Sequence, residues 1–416
     1  MKISIDPVIA GRIKTAWTNL SPEQRNRLIP LFTKAHQQAV TASQSRVAPP
    51  VDASLGRVLT LAFSAISNDQ DGIVNNLDAG IVIDVDGGGE IWGTGKYEQL
   101  DPGWLEAAAE WLEHIILAKH AFSTAPATIP IPQDVQIALA GDWGTGDWRT
   151  AANPAPSTDV LTHMTFLQPD LTIHLGDVYY AGTESEEQHL LVNRWYKGPI
   201  GSLALNSNHE MYSGADAYFK AISNSPFEMQ QGCSYFALEN NDWVIVGLDS
   251  AYYSEEETLY QDGALFPNQG PQVQLDFLRV QVAKRKKVIL LTHHNGLVQD
   301  GSSQTNLWSQ VMSAFPADSG PAYWYWGHVH AGVVYQPQKN GTATVLCRCC
   351  GHGGLPCGQA PEMEHKESTV LWYENRLAHD PDITARILDG FAMLYLEGPK
   401  IEEVFYDENG GGAWRP

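Results

Sequence analysis

Five stretches of the sequence run from an apolar segment into residues that can bind metal ions. The stretches are Val135–Gly146, Pro169–Gly182, Leu203–Glu210, Lys287–Asn295 and Tyr323–His330. They contribute Asp142, Asp177, Tyr180, Asn208 and several histidines, which are His209, His293, His294, His328 and His330. Short apolar runs of this kind predict buried strands, and ligands in open α/β sheets bind beyond the carboxyl ends of strands. Oxygen donors mixed with imidazoles suit Fe, Mn or Zn, and so many donors favour a two-metal site of the kind that cleaves phosphate esters.

The same stretches resemble, in order, the motifs of the calcineurin-like metallophosphoesterases, and most closely those of the purple acid phosphatases. The matching segments read GDWG, GDVYY, SNHE, the histidine after VILLT, and GHVH. Ser207 stands where the family has glycine, and Gly144 stands where most members have a histidine. The resemblance implies an α/β fold, the αββα sandwich of two packed mixed sheets flanked by helices.

The resemblance also implies a ligand set for each of two metal ions. The first ion would be bound by Asp142, Asp177, Tyr180 and His330, and the second by Asp177, Asn208, His293 and His328. Two carboxylates and a phenolate favour a hard trivalent ion, so we expect Fe(III) at the first position. Neutral amide and imidazole ligands favour a divalent ion, Fe, Zn or Mn, at the second.

His209 is the predicted catalytic residue, because it follows ligand Asn208 and could protonate the leaving oxygen. The attacking group would be hydroxide, formed from a water whose pKa the ions lower. Glu210 is expected to orient His209, while Trp143 and Tyr212 are expected at the rim of the site.

The leading functional prediction is therefore a phosphomonoesterase similar to the purple acid phosphatases. A phosphodiesterase or nucleotide pyrophosphatase with the same bimetal core is the alternative, and a non-catalytic metal-binding partner protein is a further one. The net charge of −22 and the scattered Lys and Arg argue against nucleic acid and anionic membranes as partners. The expected partner is a small phosphorylated substrate, and oligomeric state is left open.

The sequence predicts two parts and a cytoplasmic location. Residues 1–130 read as a mainly helical N-terminal region with a hairpin around Asp86–Gly89, and residues 131–416 as the metallophosphoesterase domain. The cytoplasmic prediction follows from the lack of an eighteen-residue apolar run and of a signal-peptide pattern at the N-terminus. Ser67–Asp78 has partial calcium-loop spacing, but it lacks the usual first Asp and last Glu, which favours a solvated acidic turn.

The cysteines allow two interpretations. Four of the five lie at Cys347, Cys349, Cys350 and Cys357, close to His352, so a zinc site is conceivable. Paired Cys-x-x-Cys units are missing, and we favour a buried strand over Ala343–Cys350 in which small thiols pack as apolar side chains.

Overall fold

The computed structural model describes residues 7–30, 84–93, 95–98, 101, 103–115 and 117–416. The calcium-like spacing at Ser67–Asp78 lies outside the described residues. None of the helices in the described ranges is both long and apolar enough to cross a membrane.

Two β-sheets packed face to face form the centre of the described fold. In spatial order, the larger sheet contains β14 (Val370–Tyr373), β11 (Gly332–Tyr335), β13 (Ala343–Cys350), β10 (Tyr323–Trp326), β9 (Lys287–Leu291), β8 (Trp243–Gly247), β7 (Phe236–Glu239) and β3 (Thr128–Pro130), with β12 (Gln338–Asn340) beside β13. The smaller sheet contains β17 (Gly412–Trp414), β16 (Lys400–Asp407), β15 (Gly390–Glu397), β4 (Asp134–Ala140), β5 (Leu171–His174) and β6 (Gly201–Ala204). A separate hairpin pairs β1 (Asp84–Val85) with β2 (Ile91–Trp92).

Helices pack on the sheets and on one another. They are α1 (Pro7–Asn19), α2 (22–30), α3 (Trp104–His114), α4 (Pro156–Leu167), α5 (Glu184–Glu186) followed by a π-helical segment (Glu187–Val192), α6 (Asn208–Met211), α7 (Asp216–Ala221), α8 (Val273–Val282) and α9 (Asn306–Met312). Short 3₁₀ turns lie at Glu228–Gln230, Glu256–Thr258 and Pro361–Met363. The predicted αββα sandwich is confirmed.

Alternation along the strands explains this layering. In β4, Ile137 and Leu139 point into the core between the sheets, whereas Ala138 and Ala140 face the helical layer with α4. Because successive strand residues point to opposite faces, a strand that is apolar on both sides needs cover on both sides.

The cysteine-rich segment forms β13, with the predicted bounds Ala343–Cys350. Cys347 and Cys349 pack on the helix-facing side of the larger sheet, and Cys350 packs between the sheets. All five cysteines of the chain are buried with free thiols. The interpretation of this segment as a buried strand is therefore confirmed.

The N-terminal region shares a core with the loops that follow the central strands. Ile13 of α1 and Trp111 of α3 belong to the same buried cluster as Val178 and Ala181, which come after β5. β3 lies before the predicted boundary at residue 130 and already pairs with β7 of the larger sheet. The division into two parts remains a prediction, and the ring contacts of Trp104 with Tyr179 and Tyr180 place α3 close to the candidate site.

Candidate metal centre

Parallel pairing brings the polar strand ends to one edge of the sandwich. β4 pairs in parallel with β5 and β5 with β6 in one sheet, while β9 pairs in parallel with β10 in the other. Asp142 (φ 58°) and Asp177 (φ 74°) adopt left-handed backbone conformations where the chain leaves β4 and β5. Gly176 (φ 103°) between strand and aspartate has no room for a side chain, since a Cβ would lie 2.7 Å from Nδ1 of His293.

A first cluster joins Asp142, Asp177 and His330. Nε2 of His330 lies 3.3 Å from Oδ1 of Asp142 and 3.9 Å from Oδ2 of Asp177. One ligand atom from each of the three residues lies within 4.8 Å of the others. The backbone N–H of His328 donates to Oδ2 of Asp142 (2.9 Å), which fixes the orientation of that carboxylate.

A second cluster joins Asn208, His293 and His328. Oδ1 of Asn208 lies 2.9 Å from Nε2 of His293 and 3.1 Å from Nδ1 of His328. Nδ1 of His293 lies 2.8 Å from the carbonyl of Leu175 and can donate to it, which leaves Nε2 as the free coordinating atom. Nδ2 of Asn208 donates to the Tyr212 hydroxyl (3.1 Å), so the amide oxygen faces the cluster.

Asp177 lies between the two clusters. Its Oδ1 is 3.3 Å from Nε2 of His293, whereas its Oδ2 is 3.2 Å from the hydroxyl of Tyr179 and faces His330. One carboxylate thus offers an oxygen to each cluster, which is the arrangement that bridging of two ions requires.

The tyrosine of the site differs from the one expected. The hydroxyl of Tyr179 lies 2.5 Å from Nε2 of His330 and 3.5 Å from Oδ1 of Asp142, inside the first cluster. The hydroxyl of Tyr180 instead donates to Asp101, and its ring packs against Tyr97 and Trp104. Tyr180 is thus directed into the contact with the N-terminal region, and the ligand role expected of it remains a prediction.

The electrostatics of the clusters favour bound cations. Asp142 and Asp177 are both fully buried. Burial and the charge of Asp177 raise the pKa of Asp142 well above its ordinary value. Burial also opposes ionisation of Asp177, but His209 and His293 hold the pKa of Asp177 well below its usual range. Two buried carboxyl groups this close together disfavour being ionised at the same time, and bound cations would remove that penalty.

His209 lies at the first turn of α6, directly beside the clusters. Its Nδ1 is 2.7 Å from the carbonyl of Tyr180, and its Nε2 is 3.7 Å from Oδ2 of Asp177. Burial lowers the pKa of His209, and the charge of Asp177 partly offsets this effect. With Nδ1–H donated to the carbonyl, Nε2 is the nitrogen that can exchange a proton with a substrate.

Glu210 does not orient His209, contrary to expectation. Its Oε1 accepts from the backbone N–H of Val178 (2.8 Å), and its Oε2 contacts the hydroxyl of Ser207. Ser207 also contacts Asp177 and accepts from the backbone N–H of His209 (3.0 Å). With φ −135°, Ser207 is extended, so the family's glycine is not needed for the backbone here. Ser207 and Glu210 therefore fix the loop that carries Asp177.

His294 has a structural position although it adjoins His293. It belongs to a third possible metal-binding group with His293 and His328. Its Nδ1 lies 2.9 Å from Oγ of Ser250, and its Nε2 lies 2.7 Å from the carbonyl of Tyr260. Both nitrogens of His294 are thus occupied by protein groups.

A cavity of about 330 Å³ opens over the clusters. It is lined by His209, His328, His330, Asn208, Tyr212 and Leu355, by Asp86, Gly88, Glu90, Tyr97 and Trp104 of the N-terminal region, and by Gln261, Asp262, Gly263, Asn295, Val298, Gln299, Thr305, Asn306, Leu307 and Val329. Tyr212 therefore lies at the cavity as expected. Trp143 does not, because it is fully buried against Trp195 with its indole N–H on the carbonyl of Ser157 (2.7 Å).

Sequence reasoning missed the contribution of the N-terminal region to this site. Glu90 contacts Nδ1 of His330, although 240 residues separate the two in sequence. The sequence predicts a hairpin at the glycine-rich turn before Glu90. No local pattern connects that hairpin with the GHVH motif that contains His330.

Comparison with known proteins gives one family match. Residues 135–332 match the family model described as calcineurin-like phosphoesterase. No curated protein matches the chain in sequence.

The solved structures to which this chain is similar include the following two. One is GAP50, the anchor in the inner membrane complex of Plasmodium, with 13% identity, a TM-score of 0.45, and coverage of 68% of this chain and 88% of that one. The other is a dimetal phosphatase from Danio rerio, with 14% identity, a TM-score of 0.38, and coverage of 66% and 95%.

Proposed function

We propose that this protein is a two-metal phosphomonoesterase acting on a small phosphorylated substrate, because residues 135–332 match the calcineurin-like phosphoesterase family model. The observation that carries the proposal is the position of Asp177, with one carboxylate oxygen toward each cluster. The donor set fits metal ions, since two buried carboxylates, an amide oxygen and three imidazoles converge there.

The residues divide between two ions. Asp142, Asp177, Tyr179 and His330 would hold the first, and Asp177, Asn208, His293 and His328 the second. The carboxylates and the phenol suit Fe(III) at the first position, and the second suits divalent Fe, Zn or Mn. Bound there, the ions supply Lewis acidity toward the phosphate oxygens and the attacking water.

The protein's own groups would orient the ester and move the proton. Nε2 of His209 faces the cavity next to Asp177, where it can protonate the leaving oxygen or hydrogen-bond to the phosphoryl group. The Tyr180 carbonyl fixes the imidazole through Nδ1. Tyr212 keeps the amide oxygen of Asn208 directed at His293 and His328, where it would help to hold the second ion.

The cavity lining supports a monoester over a nucleotide polyphosphate. Among the described residues that line it, none is Lys or Arg, while Asp86, Glu90 and Asp262 are acidic. A second phosphate group in the leaving portion would therefore find no Lys or Arg among the described residues of this lining. The side-chain amides Gln261 and Asn295 and the aromatic Trp104 suit a neutral or cationic leaving group.

A substrate panel tests the proposal. Protein stripped with a chelator and reloaded with Mn, Zn or Fe is assayed on monoesters, diesters and nucleotides. We expect metal-dependent hydrolysis with the highest kcat/KM for a monoester. A higher kcat/KM for diesters or pyrophosphate bonds would favour the alternative enzyme, and two bound ions without hydrolysis would favour a non-catalytic protein.

The tyrosine position gives a spectroscopic prediction. In protein reconstituted with Fe(III), a bound phenolate gives a visible charge-transfer band. The hydroxyl of Tyr179 lies in the first cluster and that of Tyr180 on Asp101. We expect Tyr179→Phe to lose the band and Tyr180→Phe to keep it, with the absorption spectrum as the measurement. The reverse result would restore Tyr180 as the ligand, and a colourless wild-type protein with bound Fe(III) would exclude both.

A further inference from the structure

We propose that Glu90 is a positioning residue that orients His330 of the metal centre. The N-terminal hairpin, β1 to β2, would thereby contribute to metal binding. The inference rests on the proposed two-metal function. Glu90 lies outside the segment matched by the family model, residues 135–332. The hairpin would thus complete a site that the matched domain alone leaves without this carboxylate.

The two nitrogens of His330 face different groups. Nε2 is directed at Asp142 and Tyr179, whereas Nδ1 contacts Oε1 of Glu90. A carboxylate on one imidazole nitrogen accepts its N–H, fixes the tautomer and makes the other nitrogen a better metal ligand. Glu90 therefore sets Nε2 of His330 as the atom directed at the first cluster.

The hairpin is held against the catalytic domain, so Glu90 has a defined position. The carbonyl of Gly88 accepts from Nε2 of Gln299 (2.7 Å), and the carbonyl of Gly89 accepts from the backbone N–H of Gly358 (2.6 Å). Glu90 itself forms an antiparallel bridge with Cys357. These contacts come from two separate loops of the domain and flank the glutamate.

Cys357 provides the competing explanation for this contact. A ligand atom of Glu90, one of His330 and the thiol of Cys357 all lie within 4.8 Å of one another. Cys357 is buried, whereas the Glu90 side chain is 23% exposed at the cavity wall and contacts Nδ1 of His330 directly.

A graded substitution series tests the role of Glu90. Metal affinity is measured by competition with a chelator, the spin coupling of the ions by EPR of the Mn(II)-loaded protein, and folding by melting in EDTA. We expect Glu90→Ala to weaken binding of one ion about 10–100-fold and to convert a coupled Mn(II) pair into an isolated ion. Glu90→Gln should fall between Ala and wild type, since its amide oxygen accepts the bond without charge.

Two control variants distinguish the outcomes. Glu362→Gln alters a glutamate whose backbone N–H contacts the same hairpin at Gly87 (3.4 Å), and it should leave metal affinity unchanged. Cys357→Ala should also leave it unchanged. The proposal is overturned if Glu90→Ala binds both ions with wild-type affinity. If the Ala variant does not fold, the same result in Glu90→Gln overturns it. A loss in Cys357→Ala with none in Glu90→Gln would assign the contact to the thiol instead.

The inference and the proposed function fail in different ways. Wild-type protein that binds two ions without hydrolysing any ester contradicts the function and leaves the affinity series interpretable. Hydrolysis by the wild type, with unchanged metal affinity in the Glu90 variants, overturns the role of Glu90 alone.

Discussion

Asp177→Asn is expected to abolish hydrolysis and to remove at least one of the two ions. Asp177 is fully buried, and its two oxygens face different clusters, 3.3 Å from Nε2 of His293 and 3.2 Å from the Tyr179 hydroxyl. Asparagine keeps the shape but loses the charge and presents an amide N–H₂ to one side, which a cation repels. Metal content per chain and turnover of the best substrate are the measurements.

A matched variant lies at the opposite end of the same strand. Asp170 precedes β5 and accepts from the backbone N–H of Gln136 (2.9 Å), far from the strand end that carries Asp177. Asp170→Asn should retain both ions and wild-type turnover. Two ions per chain with near-normal turnover in Asp177→Asn would contradict the bridging role.

His209→Ala is expected to lower turnover about 10²–10⁴-fold while leaving metal content intact. The reason is that Nε2 faces the cavity, whereas Nδ1 lies on the carbonyl of Tyr180 and holds the ring in place. The deficit should be smallest for esters with acidic leaving groups, because those alcohols depart without a proton. Turnover across a series of aryl and alkyl phosphates measures this dependence.

The leaving-group series separates proton donation from binding. An equal loss for every leaving group would indicate that His209 stabilises the phosphoryl group or the loop instead. His189→Ala removes an exposed histidine of the π-helical segment and should change neither turnover nor metal content. Loss of metal in His209→Ala would contradict the separation of ligand and proton donor.

Local sequence pattern determined the strands and the residues at their ends. Apolar runs such as Leu171–His174 can be buried on both faces, and the Gly-Asp pairs that follow them must turn. Because parallel neighbours place their carboxyl ends at one edge, Asp142, Asp177, Asn208, His293, His328 and His330 converge in the structure as their motifs indicate. Their roles as ligands remain predictions, but their convergence follows from parallel pairing within each sheet and from the packing of the two sheets against each other.

Tertiary packing decided which neighbours complete the site. Tyr179 and Tyr180 are adjacent in a turn, and only the contact of Tyr180 with Asp101 and Trp104 shows which phenol faces the carboxylates. Glu90 reaches His330 across 240 residues, a contact that no periodicity encodes. The sequence alone thus determined the motif order, the buried strands and the metal-binding chemistry. Only the tertiary structure determined which phenol lies in the first cluster and which carboxylate contacts Nδ1 of His330. Both depend on how a distant hairpin and helix pack onto the sandwich.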